Sequence, residues 1–139
     1  MDIHRDLKVC DLGSMGNRAF VECHEVAKER TFDIGTALYM APEQAHFSER
    51  DWDLRAQYHG WIYSSKVDVF ALGLLFAELS VFMEADVKET VFNSYRAGKP
   101  SSVLEHLSGE KGFVAWLTNI DPAERPTCAE ILQHPFMLN

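Results

Sequence analysis

The sequence predicts a mainly α-helical fold, and three kinds of signal support this prediction. A long apolar stretch, VFALGLLFAELSVF at 69–82, follows directly on polar residues that can cap a helix. The S/T-x-x-D/E patterns at 65–68 and 127–130 are typical of helix starts, because the hydroxyl and the carboxylate satisfy free backbone N–H groups. Gly-Lys-Pro at 98–100 and Pro135 are typical of helix ends, since proline cannot continue the helix.

The elements are expected in a simple order along the chain. Residues 1–43 show no sustained helical period and are interpreted as mostly irregular, and residues 44–64 as a surface loop that can hold a short helix. The central helix, 66–83, is apolar on nearly every face, which predicts a helix buried on all sides. Later helices are expected at 85–96, from Ser102, at 112–119 and from Thr127 to about His134.

Length and composition favour one globular domain. The chain has 139 residues, with 47% hydrophobic residues and nine Phe, which is enough for a single packed core. Its net charge of −8 argues against a general nucleic-acid binder or a protein that binds acidic membranes.

The cysteines, the histidines and the hydropathy give no sign of a disulfide framework, a metal site or a membrane span. The three cysteines include no CxxC pair, which is typical of a reduced, intracellular protein. The six histidines show no paired-ligand spacing. The longest uncharged apolar run, Val69–Ala77, is about half of what a membrane span needs. Charged residues from Asp2 onward exclude a secretory signal, so a soluble, cytoplasmic protein is expected.

Five short motifs follow one another along the chain. They are HRDLK at 4–8, DLG at 11–13, GTALYMAPEQ at 35–44, KVDVFALG at 66–73 and DPAERPT at 121–127. This is their order in the C-terminal lobe of the eukaryotic protein kinases, which the sequence resembles over nearly its whole length. Among the kinases, the PEQ after YMA and the VDVFALGLLFAEL stretch look most like the kinases of the translation initiation factor 2 alpha subunit.

The resemblance implies the fold and its parts. We expect the helical C-terminal lobe of the protein-kinase fold, with the N-terminal lobe and the catalytic-loop hairpin absent. Residues 1–13 would form a shortened catalytic loop with the DLG motif, residues 14–43 the activation segment, and residues 44–139 the helical core. The implied activity is transfer of phosphate from ATP to Ser or Thr of a protein, and the initiation factor alpha subunit is the implied substrate.

The same resemblance assigns the catalytic residues. Asp6 would orient the acceptor hydroxyl and take its proton, and Lys8 would neutralise charge on the transferring phosphate. A Lys two residues after the Asp is characteristic of Ser/Thr kinases. Asp11 would hold the magnesium ion that bridges the phosphates, so Lys8 and Asp11 together form the expected ATP–Mg²⁺ site.

Other matches concern the activation segment and its supports. Thr31 would carry an activating phosphate that Arg5 could grip, and Thr36 would line the substrate platform; alternatively, both are plain loop threonines. Two structural matches complete the set. Glu43 would form a buried ion pair with Arg125, and Asp68 would brace the backbone near Arg5 or act only as a helix cap.

The spacing inside the catalytic loop departs from the family pattern. In H-R-D-L-x-x-x-N a magnesium-binding Asn follows the catalytic Asp by five residues, and counting from Asp6 that position is Asp11. One carboxylate cannot take both places, so we expect the hairpin and its Asn to be missing at the Lys8–Val9 junction. No glycine-rich loop or VAIK-type lysine precedes Asp6.

Two functional interpretations follow. The first is a Ser/Thr protein kinase that is present here as a truncated, catalytically incomplete lobe. The second is a non-catalytic interaction module, or a dominant-negative kinase fragment, that binds a kinase substrate without nucleotide. Binding of a substrate protein in the absence of nucleotide binding would favour the second.

Overall fold

The computed structural model describes residues 37–45, 64–99 and 101–138, all of which lie in one compact unit, Thr36–Asn139. Within these ranges the regular structure is helical and contains no strand, which confirms the predicted mainly α fold. The α-helices are α1 (Pro42–Ala45), α2 (Ser65–Ser80), α3 (Ala85–Arg96), α4 (Ser108–Leu117), α5 (Cys128–Leu132) and α6 (Pro135–Leu138). Short 3₁₀ turns cover Ala37–Tyr39, Ser102–Leu104 and Pro122–Glu124.

Helix α2 begins one residue away from the predicted cap. The N-cap is Ser64, whose hydroxyl accepts a 3.2 Å hydrogen bond from the Lys66 backbone N–H, whereas the sequence pattern predicts Ser65. Asp68 lies in the first turn of the helix, where its charge suits the positive end of the helix dipole. The helix ends at Ser80 because Val81 is extended, so the predicted end at residue 83 was too late.

Only one side of α2 is buried, so the prediction of a helix buried on all sides was wrong. Its covered face packs against α4 and against the 3₁₀ turns at 37–39 and 122–124. On the other face, Leu72, Leu75 and Leu79 are 43%, 44% and 74% exposed. These three leucines recur at i, i+3 and i+7, which places them in one stripe. The apolar sequence of α2 predicts neither which face of the helix is covered nor how large the covered face is.

Two hydrophobic clusters meet on the covered face of α2. The larger one comprises Ala41, Phe70, Leu74, Ala77, Val91, Phe92, Tyr95, Leu104 and Val114. The smaller one comprises Val69, Phe113, Leu117 and Ile131. Helix α4 contributes to both clusters, and it approaches α2 closely at Gly73. A Cβ atom at Gly73 would lie 2.6 Å from Thr118 Cγ2, so a side chain there would collide with the end of α4.

The remaining helices follow the sequence signals with two shifts: α4 is displaced from the predicted 112–119, and α5 ends at Leu132 instead of about His134. Helix α3 coincides with the predicted range 85–96. Helix α4 starts at Ser108 instead of Gly112, because its first turn contains the weak helix former Gly109 and gave little sequence signal. Helix α5 has the predicted capping box, in which Thr127 and Glu130 satisfy each other's backbone N–H groups. None of the helices in the described ranges is long and apolar enough to cross a bilayer.

Candidate functional site

The predicted site residues divide into two groups. Those of the catalytic loop and activation segment lie outside the described residues, namely Arg5, Asp6, Lys8, Asp11, Thr31 and Thr36. The other three, Glu43, Asp68 and Arg125, lie within them. The part of the site that the structure describes is therefore the segment directly after Thr36, together with the residues that hold it.

Glu43 and Arg125 form a buried, two-point ion pair. Arg125 Nη1 lies 2.6 Å from Glu43 Oε1, and Arg125 Nη2 lies 2.8 Å from Glu43 Oε2. Arg125 is 2% exposed and Glu43 is 6% exposed, so the pair is shielded from water. The planar guanidinium matches the carboxylate with two parallel hydrogen bonds, which is the strongest form of this interaction.

The other donors of Arg125 are also used. Its Nε donates to the Asn119 carbonyl at 2.7 Å, and its Nη atoms donate further to the carbonyls of Lys66 at 3.0 Å and Ile120 at 3.4 Å. The Lys66 ammonium in turn donates to the Arg125 carbonyl. The guanidinium also lies 4.9 Å from the centre of the Phe70 ring. One side chain therefore joins α1, the start of α2 and the loop at 119–125.

A capped turn places Arg125 in this position. The Asp121 carboxylate accepts from the Ala123 N–H at 2.9 Å, and Pro122 occupies the first position of the 3₁₀ turn, where its fixed φ is favourable. Asn119 accepts from the Asp121 N–H at 3.0 Å. The turn ends at Glu124, so the next residue, Arg125, projects into the core.

Arg96, at the end of α3, contacts the segment after Thr36. Its Nε donates to the Met40 carbonyl at 3.0 Å, and its Nη2 donates to the Ala37 carbonyl at 3.1 Å and to the Leu38 carbonyl. Desolvation lowers the pKa of its guanidinium. No sequence motif pointed to Arg96, since an Arg in the last turn of a helix is usually explained by the helix dipole alone.

Tyr39, in the same segment, is held by α2 and α3. Its hydroxyl donates to Glu78 Oε2 at 2.6 Å, and the Lys88 ammonium donates to Glu78 Oε1 at 3.0 Å. The hydrogen bond to Glu78 raises the pKa of Tyr39, and the hydrogen bonds from Tyr39 and Lys88 lower the pKa of Glu78. The Tyr39 ring also meets Phe92 edge-on, with 5.3 Å between the ring centres.

The family follows from a comparison with known proteins. The family model described as protein kinase domain matches residues 1–137. The chain belongs to the protein kinases. The buried pair thus joins two motifs of a kinase chain, the APE of 41–43 and the ERPT of 124–127.

Several relatives of this kinase chain are named as translation initiation factor 2 alpha kinases. It is 29% identical to the initiation factor 2-alpha kinase pek-1 of Caenorhabditis elegans over 96% of its length and 12% of the relative's. It is 32% identical to the human eIF-2-alpha kinase GCN2 over 72% of its length and 6% of the relative's. The interferon-induced, double-stranded RNA-activated protein kinase of mouse is 33% identical over 94% of this chain and 24% of the relative.

These matches confirm the predicted similarity to the initiation factor 2 alpha kinases. The chain spans between 6% and 24% of the length of the three relatives. No solved structure matches.

Asp68 is the third predicted site residue within the described ranges. Asp68 lies on the exposed face of α2, and partial desolvation raises the pKa of its carboxyl. The bracing of the backbone near Arg5 stays a prediction, because Arg5 lies outside the described residues. Among the described residues, no group of His, Cys, Asp or Glu could hold a metal ion.

A small cavity lies beside the ends of α3 and α4. It has a volume of about 170 Å³ and is lined by Tyr95, Gly98, Thr118 and Ile120, among others. Ordinary small-molecule sites occupy about 300–1,000 Å³. This cavity is therefore too small for a nucleotide.

Proposed function

We propose that the protein is a Ser/Thr protein kinase, and that residues 1–139 form the C-terminal lobe that binds the phosphate acceptor. The observation that carries the proposal is the buried Glu43–Arg125 pair, which anchors the end of the activation segment on the helical core. In this proposal the lobe consists of a catalytic loop with DLG at 1–13, an activation segment at 14–43 and a helical core at 44–139.

The catalytic roles are part of the proposal. Asp6 accepts the proton of the acceptor hydroxyl while the hydroxyl oxygen bonds to the γ-phosphorus and ADP leaves. Lys8 neutralises charge on the transferring phosphate, and Asp11 would hold the magnesium ion, which supplies charge neutralisation when bound. Because positioning and electrostatics provide nearly all the catalysis in phosphoryl transfer, loss of any of these side chains should be severe.

The activation segment would add control and substrate contacts. A phosphate on Thr31 would bind Arg5, because a guanidinium offers two parallel N–H groups to phosphate oxygens. Thr36 would line the substrate platform. Asp68 would hold the catalytic-loop backbone from the start of α2.

The proposed substrate is the alpha subunit of translation initiation factor 2. This proposal is supported by the relatives whose names state that activity, one of which is similar over 96% of the present chain. A cytoplasmic location belongs to the same proposal, because translation initiation takes place there.

A second function is favoured by the spacing of the catalytic loop. Asp11 stands both where the pattern requires the magnesium-binding Asn and where DLG requires its Asp, so the polypeptide 1–139 carries one magnesium ligand fewer than the pattern. We therefore expect weak catalysis from residues 1–139 alone. In that case the lobe would act as an interaction module, or as a dominant-negative fragment, that binds the acceptor.

The test measures both acceptor binding and phosphate transfer from ATP in the presence of Mg²⁺. The full-length protein and the chain 1–139 are each compared with Asp6→Asn and with the matched control Asp2→Asn. Transfer that is lost in Asp6→Asn and kept in Asp2→Asn supports the kinase. Acceptor binding by all variants without any transfer supports the interaction module. If Asp6→Asn transfers phosphate as fast as the wild type, Asp6 is not the catalytic base.

A further inference from the structure

We propose that Arg96 is the positioning residue of the segment 37–40, and that it sets the backbone of the surface on which the acceptor protein rests. The inference rests on the proposed function, in which Thr36, the residue just before this segment, lines the substrate platform. Arg96 would not touch the reacting atoms. It would act by fixing the segment that follows Thr36.

The convergence of three carbonyls on one guanidinium carries this inference. Nε of Arg96 binds the carbonyl of Met40, and Nη2 binds those of Ala37 and Leu38. Ala37 also accepts a long hydrogen bond from the Met40 N–H at 3.4 Å, but so short a turn offers its other carbonyls little, and a carbonyl oxygen can accept a second bond. Arg96 adds three hydrogen bonds from α3, across 56 to 59 residues of sequence.

The contacts of Arg96 are those of a residue that holds the backbone of the segment 37–40, and not those of a surface ion pair. Its hydrogen bonds within the described residues run to these carbonyls and to the side-chain oxygen of Asn93, not to a carboxylate. Asn93 lies one turn earlier on α3 and orients the guanidinium. An arginine that only provided solubility would point into solvent, whereas this one is half-buried and partly desolvated.

The segment is anchored on its other sides, so that Arg96 completes its support. The Tyr39 hydroxyl binds Glu78 of α2, and the Ala41 N–H donates to the Gln44 side chain at 3.1 Å. Ala41 is fully buried, whereas the side chain of Ala37 is exposed. Arg96 thus holds the backbone carbonyls of the turn, while the exposed side chain of Ala37 leaves that part of the turn accessible to a protein substrate.

The first test is hydrogen exchange in the chain 1–139. The amides of Met40, Ala41 and Gln44 report on the segment, because each donates a hydrogen bond there. In Arg96→Ala their exchange should rise by about tenfold, the effect of losing roughly one charge-assisted hydrogen bond. Arg96→Lys should give a smaller rise, since an ammonium lacks the planar fork. The nearby exposed Lys99→Ala is the matched control and should leave exchange unchanged.

A kinetic readout then separates positioning from general stability. In the full-length protein, Arg96→Ala should raise KM for the acceptor protein by about tenfold and leave KM for ATP unchanged, with partial rescue in Arg96→Lys. Equal changes in both KM values would overturn the proposal.

The two hypotheses fail in different ways. Unchanged exchange of the three amides in Arg96→Ala overturns the role of Arg96, whether or not phosphate is transferred. Exchange that rises equally in α4 and in the segment overturns it as well, because Arg96 would then be a general stability residue. A wild-type protein that transfers no phosphate overturns the proposed kinase activity, while the exchange result still decides the role of Arg96.

Discussion

Replacement of Arg125 by alanine tests the ion pair on which the lobe depends. The change removes the two hydrogen bonds to Glu43 and those to three backbone carbonyls, and it leaves a carboxylate that is only 6% exposed without its cation. It also removes the contact with the Phe70 ring. We therefore expect Arg125→Ala to weaken the anchoring of α1 and the packing of the loop at 119–125 together.

The expected magnitude follows from these contacts. Breaking one partner of a buried pair costs about 3–5 kcal/mol, and domains of ordinary size have a total stability of about 5–15 kcal/mol. Arg125→Ala should thus lose a large part of the free energy of unfolding. Glu43→Gln keeps the shape, but its NH2 group replaces one acceptor oxygen with a donor that faces a guanidinium N–H, and Arg125 stays buried without its anion. It should therefore also cost about 3–5 kcal/mol.

Urea denaturation followed by circular dichroism measures these differences. The matched control is Lys111→Ala, which breaks the exposed pair with Glu105 and should change stability by less than about 1 kcal/mol. If Arg125→Ala and Lys111→Ala unfold at the same urea concentration, the buried pair does not have the role assigned to it.

Three further predictions concern packing, pH and capping. Gly73→Ala should lower the free energy of unfolding by about 1–3 kcal/mol, because its Cβ would lie 2.6 Å from Thr118 Cγ2. The control is Gly112→Ala, whose Cβ meets nothing within 4 Å and which should be neutral or stabilising in urea titrations. The lowered pKa of Glu78 means that its stabilising effect is present above its unfolded-state pKa of about 4.3 and is lost as pH falls through the folded-state value. Glu78→Gln should therefore make thermal stability fall less steeply on acidification below about pH 5, and an unchanged slope would contradict this reasoning. Thr127→Ala should cost about 1 kcal/mol through loss of the capping box, and Thr127→Ser, which keeps the hydroxyl, should recover most of it in the same titration.

The sequence predicted the local features of the fold better than its burial. The central helix, α3 and the capping box at Thr127 are set by short-range patterns, and all three were found from them. The cap at Ser64 was missed by one residue because Ser64 and Ser65 are adjacent and both suit the position. The exposure of Leu72 could not be predicted, because an apolar helix does not reveal which face its neighbours cover.

The site could be predicted only where a motif resemblance linked distant residues. Glu43 and Arg125 are 82 residues apart, and only the family pattern placed them together. Arg96 and the Tyr39–Glu78–Lys88 network were missed for the same physical reason. Their partners lie on separate elements, and a backbone carbonyl that accepts a hydrogen bond leaves no signal in the sequence.

The most direct measurement is phosphate transfer from ATP to the alpha subunit of translation initiation factor 2 by the full-length protein, with identification of the modified residue. The proposed function predicts phosphorylation on Ser or Thr by the wild type and none by Asp6→Asn. An acceptor that binds to the wild type but is never phosphorylated would contradict the kinase proposal and favour the interaction module.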